Sequence, residues 1–216
     1  MSNNVACLNM IKQQLRTNNI HNESILSLFS QAERSKFAPE AFQSFAFADM
    51  QIPLAHHQFM MTPLEEAQIL ETAKLKPNDY VLEIGTGSGH LTYLLSQFCE
   101  KVVSIDIHEN FIQNAKQHFQ DRNIQNVEFI HQDASVWSSA THLFDVIICT
   151  AAIEAIPADW LKMLKANGKI FAPIGDKAQN AQWIYLNNKK MTGHEFVFHT
   201  HLPKLLEAQH QEKFIF

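Results

Sequence analysis

The segment Tyr80-Val81-Leu82-Glu83-Ile84-Gly85-Thr86-Gly87-Ser88-Gly89 constrains the fold of this chain more than any other. Val81, Leu82 and Ile84 read as a buried strand, and three alternating glycines then turn the backbone into a helix that starts near Gly89. Without a Cβ, glycine reaches positive φ and lets a ligand lie against the main chain. A second apolar strand, Val102-Val103-Ser104-Ile105, ends in Asp106. That carboxylate falls roughly 20 residues beyond the first glycine, where it can accept both hydroxyls of a ribose. An adenosine-type ligand lying across strand tips is the expectation.

The glycine spacing separates the possible ligands. A dinucleotide fingerprint places its third glycine where this chain has His90; here that glycine comes one residue early, at Gly89. A phosphate-cradling loop ends in Gly-Lys-Ser/Thr, and no lysine stands here. Glu83, two residues before the first glycine, would repel a pyrophosphate. It suits the ammonium and sulfonium of S-adenosylmethionine, so that cofactor is the expected one.

Composition narrows the class. The 216 residues are 46% hydrophobic, which argues against disorder and for one domain, 1–216, with a modest extension. Residues 1–75 form the helical, substrate-loop extension and 76–216 the core in this reading. Acidic side chains outnumber basic ones for a net charge of −5, which gives no electrostatic drive toward nucleic acid. Three separated cysteines, Cys7, Cys99 and Cys149, suggest reduced thiols rather than a disulfide framework or zinc site. Cys149 falls within an apolar strand pattern and reads as a small buried thiol. The twelve histidines are scattered, and no metal site is expected. The first residues lack a basic stretch followed by an apolar one, and no run reaches the ~18 apolar residues that span a bilayer. A monomeric cytoplasmic protein with no membrane partner is the expectation.

Along the chain, Val5, Leu8, Ile11 and Leu15 recur at helical spacing up to Asn18-Asn19. A second short helix follows, with Asn22 as its cap. Residues 34–63 read as irregular, punctuated by Pro39, Pro53 and Pro63. Thr62-Pro63 opens a helix that would run to about Leu75. Strands then alternate with helices: strands at 80–84, 101–106, 127–131, 144–149 and 169–173, helices at about 89–98, 109–119 and 157–165. This pattern predicts a mostly parallel sheet covered by helices on both faces. Asn167-Gly168 reads as a helix end before the fifth strand. Two further strands, about 182–187 and 195–200, should pair antiparallel and complete a seven-stranded sheet.

Ligands of such sheets bind at the carboxyl ends of the parallel strands. Those ends present Glu83 to Gly89 (with Gly85, Thr86 and Gly87), Asp106 to His108 (with Ile107), Asp133-Ala134, and Thr150-Ala151-Ala152. Asp133 could accept the exocyclic amine of adenine. Asp145, early in its strand, reads as a strand entrance.

Several stretches together resemble the protein-L-isoaspartate O-methyltransferases, a family with a Rossmann-like S-adenosylmethionine methyltransferase fold. They are Phe37-Ala38-Pro39-Glu40-Ala41, Phe47-Ala48-Asp49 through Ile52-Pro53-Leu54, Val81 through Gly89, Phe144-Asp145-Val146-Ile147-Ile148, Thr150-Ala151-Ala152, Ile156-Pro157, and Ala172-Pro173-Ile174-Gly175. The glycine loop is common to many methyltransferases, whereas the two N-terminal elements are far more specific. The resemblance covers about residues 20 to 205. It implies methylation of the free carboxyl of isoaspartyl residues in damaged proteins or peptides. It also implies that Glu83, Gly85, Gly87 and Gly89 contact the methionine half of the cofactor. Asp106, where the family commonly has glutamate, would meet the ribose, and Asp133-Ala134, where it usually has Asp-Gly, the adenine.

The substrate loop departs from the family pattern, roughly Gly-x-Gly-Gln-Thr-Ile-Ser-x-Pro. Counting back from Pro63, the serine usually called catalytic is Met61, the threonine-isoleucine pair is Phe59-Met60, and the glycines fall at Leu54 or Ala55 and at His56. Gln58 and Pro63 persist, and Thr62 offers the nearest hydroxyl as a catalytic candidate. The C-terminal Phe-x-Pro-Leu of the family is altered to His201-Leu202-Pro203-Lys204-Leu205. Three readings stand at this point: an isoaspartyl carboxyl methyltransferase, a diverged methyltransferase with another acceptor, and a catalytically impaired S-adenosylmethionine-binding protein.

Overall fold

The structure, a computed structural model, describes residues 3–139 and 143–205. Helix α1 (Asn3–Met10) runs into a π-helical turn, Ile11–Leu15, and the chain leaves it at Asn19 in the left-handed region. Asn22 then caps α2 (Glu23–Gln31), its side-chain oxygen accepting the N–H groups of Ser24 and Ile25. Helix α3 spans Pro63–Ala73, and the left-handed Lys74 stops it slightly before the expected end at Leu75.

Residues 34–63 are not wholly irregular. Short 3₁₀ turns at Arg34–Phe37, Glu40–Phe45 and Ala55–His57 flank a two-stranded hairpin, β1 (Ile52–Pro53) with β2 (Phe59–Met60). Strands of two residues carry no readable alternation, so the sequence could not announce them.

The main sheet contains β3 (Tyr80–Ile84), β4 (Lys101–Asp106), β5 (Val127–His131), β6 (Phe144–Cys149), β7 (Leu164–Ile174), β8 (Gln179–Asn187) and β9 (Lys190–Thr200). Their order is β5-β4-β3-β6-β7-β8-β9. The five strands from β5 to β7 are parallel neighbours, while β8 pairs antiparallel with both β7 and β9. The seven-stranded, mostly parallel sheet expected from the sequence is therefore present. Helices α4 (His90–Ser96), α5 (Glu109–Asp121) and α6 (Ala158–Met163) link its strands.

Period-two alternation splits the core into two clusters. Val81, Val102, Val146, Ile148 and Phe171 pack with the N-terminal helices, α3 and α4. Leu82, Val103, Ile147, Ile170 and Ala172 pack with Trp160 and Met163 of α6. Glu83, two residues from Val81, shares the first face. Among the described residues no helix is long and apolar enough to cross a membrane.

Two boundaries differ from the sequence reading. Asn167-Gly168 does not end a helix: α6 stops at Met163, and Leu164 already pairs with Phe144. The register then shifts, so that Val146 faces Lys169, and Asn167 and Gly168 lie in the resulting bulge. A Cβ at Gly168 would sit 2.8 Å from Leu164 Cδ2 and 3.1 Å from the Asp145 carbonyl oxygen, so close packing explains the glycine. The last hairpin turns at Asn188-Lys189, both at positive φ, and β9 starts at Lys190 rather than near 195.

Strand order reverses at β3. From it the chain moves outward through β4 and β5, then crosses back to place β6 on the other side. Crossover segments part at such a point and leave a crevice above the strand ends.

Candidate active site

That crevice is a cleft of about 800 Å³, counting its open mouth. Its floor comes from Ile84 to Ser88, Ile105 to His108, Thr150 and Ala151. Backbone hydrogen bonds shape the floor. Gly85 N–H donates to the Ile105 carbonyl at 2.8 Å, and Gly89 N–H to that of Thr86 at 2.8 Å. Gly85, Gly87 and Gly89 take φ values of 98°, 50° and 79°, where a side chain would be strained. At Gly85 space forbids one as well, because a Cβ would lie 2.3 Å from the Thr150 hydroxyl oxygen. That hydroxyl donates to the Gly85 carbonyl at 2.9 Å, tying β6 to the turn.

Asp106 stitches the turn from the other side. One carboxylate oxygen accepts Gly87 N–H and the other His108 N–H, each at 2.9 Å. Burial raises its pKa above the ordinary range, and these two donors pull it back. Each oxygen keeps a lone pair for a further donor such as a ribose hydroxyl.

Glu83 lies beneath the turn and is fully buried. Its Oε2 accepts from Ser104 at 2.6 Å and from Thr92, while Oε1 is buried with no partner among the described residues. Burial pushes this carboxyl up to about 8, against the pull of the two hydroxyls. An unsatisfied buried oxygen under a glycine turn is the feature a cationic ligand would relieve.

The opposite wall comes from the N-terminal extension. Gln58, Phe59, Met60 and Met61 line it, with Glu66 of α3 behind them. Glu66 is 1% exposed and sits in a knot with Arg34 and His90, both equally buried. Arg34 donates to Glu66, to the Met61 carbonyl and, at 2.8 Å, to the Ala46 carbonyl. His90 Nδ1 lies 2.7 Å from Glu66 Oε2 and 3.0 Å from Arg34 Nη1. Burial lowers the pKa of His90, against the pull of Glu66.

Thr62 stands apart from this wall. Its hydroxyl accepts Glu65 N–H at 3.1 Å while the Glu65 carboxylate accepts Thr62 N–H at 2.8 Å, a reciprocal capping box. Pro63 fills the first turn of α3. Neither residue lines the cleft. The hydroxyl considered a catalytic candidate is thus held by a helix end.

Beside Asp106, His56 from the extension stacks on His108 with ring centroids 4.0 Å apart, and Phe111 meets both edge-on. Past the end of β5, Gln132 and Ala134 line the cleft. Trp160 fixes that segment by donating to the Ala134 carbonyl at 3.3 Å. Asp133 turns back to accept Ser135 N–H at 2.8 Å.

The fold thus gathers most residues expected from the sequence. Gly85, Thr86, Gly87, Asp106, Ile107, Ala134, Thr150, Gln58 and Met61 line one cleft, whereas Glu83, Gly89 and Asp133 support it from behind. Arg34, Glu66 and His90 were not read from the sequence. Glu65-Glu66 next to a helix start looks like a solvated acidic turn, and only tertiary packing buries it. Cys149 is a buried thiol, as expected, and burial pushes it up to about 12. Among the described residues no group of side chains could hold a metal ion.

Residues 7–202 match the family model described as protein-L-isoaspartate(D-aspartate) O-methyltransferase. The protein-L-isoaspartate O-methyltransferase of Aliivibrio fischeri strain MJ11 is 36% identical over 170 residues, covering 79% of this chain and 82% of that protein. Its namesake from Petrotoga mobilis is 32% identical, covering 78% of this chain and 79% of that protein. In fold, the chain is similar to a crystal structure described as a protein-L-isoaspartate O-methyltransferase from Plasmodium falciparum in complex with S-adenosyl-L-homocysteine. That match has a TM-score of 0.78 at 19% identity and covers 92% of this chain and 97% of the other.

Two expectations follow from the site. Thr62→Ala should lower stability by about 1 kcal/mol in urea denaturation, whereas Thr62→Ser should keep the cap and the stability. For Glu83 the folded carboxyl holds its proton up to about 8, while the unfolded one releases it near 4.5. The folded state binds more protons between those values, so stability should fall as pH rises through that window and level off above it. Urea titrations at a series of pH values should find this slope in the ligand-free protein and a weaker one in Glu83→Gln.

Proposed function

The chain belongs to the protein-L-isoaspartate(D-aspartate) O-methyltransferase family, and from that premise we propose that it methylates the free carboxyl of L-isoaspartyl residues in proteins or peptides, using S-adenosylmethionine. The observation that carries this reading is the glycine turn over the unsatisfied Glu83 oxygen, opposite the 58–61 wall. When bound, S-adenosylmethionine supplies a methyl carbon on a sulfonium, open to in-line attack.

The residues fit that group. The turn offers bare backbone where the methionine half would lie, with Glu83 below it and Thr150 at its side. Asp106 and Ile107 suit the ribose. Ala134 leaves room for a flat base, and Asp133 holds that segment's turn. A bound cation would favour the ionised form of Glu83 and draw its pKa back down, which a pyrophosphate would not.

An acceptor carboxylate is already ionised at pH 7, so the reaction needs no general base. The chain's task is to hold the carboxylate in line with the methyl group and exclude water, and orientation alone offsets several kcal/mol of barrier. Met61, at the family's serine position, brings an apolar wall instead of a hydroxyl. Gln58, also on this wall, carries an amide that can donate to a carboxylate.

We read the enzyme as acting as a monomer. Its net charge of −5 gives nucleic acid no attraction. Three buried, unpaired cysteines suit a reducing cytoplasm.

The test is transfer of radiolabelled methyl from S-adenosylmethionine to an isoaspartyl peptide, beside its aspartyl twin. Incorporation into the first alone supports the reading, and equal background in both rejects it. Met61→Ser, which returns the hydroxyl, should raise turnover on the isoaspartyl peptide on the order of tenfold, in the range a single oriented donor supplies. Initial rates at saturating cofactor check this.

A further inference from the structure

We propose that Arg34, clamped by Glu66 and His90, is a positioning residue that sets the acceptor wall against the cofactor turn. The proposal rests on the reading of the cleft given above.

Arg34 is 1% exposed and lies in the N-terminal extension. Its guanidinium reaches three separate segments. It bonds Glu66 on α3, the main chain of Met61 at the end of the acceptor wall, and the Ala46 carbonyl in the loop before β1. The knot also contains His90, the first residue of α4, which directly follows Gly89 of the cofactor turn. One cluster therefore touches both walls of the cleft.

Stability alone is a poor reason for such a cluster. Burying an ion pair costs desolvation that its attraction often fails to recover, and apolar replacements of similar shape are frequently as stable. A planar guanidinium does supply fixed geometry. Its fork donates in set directions, and here these pin one carbonyl of the acceptor wall relative to one carboxylate of the helix that follows. Glu66 lines the cleft with Met61, so a shift of the guanidinium would move both. The aromatic rings of Phe29 and Phe37 meet His90 edge-on, at 6.1 and 5.1 Å between centroids, and leave it little freedom to move.

The charge and the fork separate in Arg34→Lys. A single ammonium can still neutralise Glu66, but it cannot serve Glu66, Met61 and Ala46 together. In the full-length variant, amide hydrogen exchange at 59–61 should speed up about tenfold over the parent, while β3 and β4 keep their protection. Calorimetry with S-adenosylhomocysteine should give an affinity within about threefold of the parent, since the cofactor floor is intact. Turnover on the isoaspartyl peptide should fall about tenfold in kcat. Unchanged exchange at 59–61, or acceleration spread equally over β3 and β4, would overturn the proposal. If Arg34→Lys does not fold, Glu66→Gln replaces it, with the same local acceleration expected and the same two contrary results. If the parent itself leaves isoaspartyl peptide unmethylated, the acceptor reading fails, and exchange at 59–61 still decides the positioning role.

Discussion

The cleft depends on a backbone turn that three strands hold in common. Gly85 leaves β3, receives the Thr150 hydroxyl from β6 on its carbonyl, and donates its N–H to the end of β4. Asp106 of β4 then takes up Gly87 N–H. No side chain fits at Gly85, and the positive φ of the three glycines leaves the main chain bare. Remove this arrangement and the turn loses its ties to β4 and β6. The buried carboxyl of Glu83 also loses its relation to whatever lies above the turn.

The two walls of the cleft are built on different principles. The cofactor side is mostly backbone geometry within the sheet, with few side-chain identities required beyond glycine and a carboxylate. The acceptor side is a short hairpin and loop carried on the N-terminal extension, held by side chains from distant positions. A two-stranded hairpin this short holds its shape through the packing of Ile52, Met60 and Met61 into the core rather than through its own ladder. Its apolar lining from Phe59 to Met61 changes the surface offered to an acceptor without disturbing the sheet, because its anchors, Arg34 and the Glu65 capping box, act through main-chain groups.

This difference explains what could be read from the sequence. The sheet, its helices and the glycine turn were legible because their signals are local: alternation of apolar residues, glycines at fixed spacing, a carboxylate closing a strand. Asp106 and Thr150 stood out by position at strand ends. The capping role of Thr62 was half-legible, since Thr-Pro marks a helix start, yet the same hydroxyl also invited a chemical reading. Arg34, Glu66 and His90 were illegible. Arg34 and Glu66 sit in polar stretches that read as solvated, nothing beside His90 names its partners, and only the packing of the extension on α3 and α4 brings the three together. Gly168 misled for a related reason. A glycine after asparagine signals a helix end locally, but here the strand bulge needed space beside Leu164.

The separation of the Arg34 partners along the chain has a consequence for synthesis. Glu66 follows Arg34 by 32 residues and His90 by 56. As the polypeptide leaves the ribosome, the guanidinium emerges first and stays hydrated until both partners have followed. The clamp on the acceptor face can therefore close only after the nascent chain has delivered the turn that faces it, and the floor is completed later still, when Thr150 arrives.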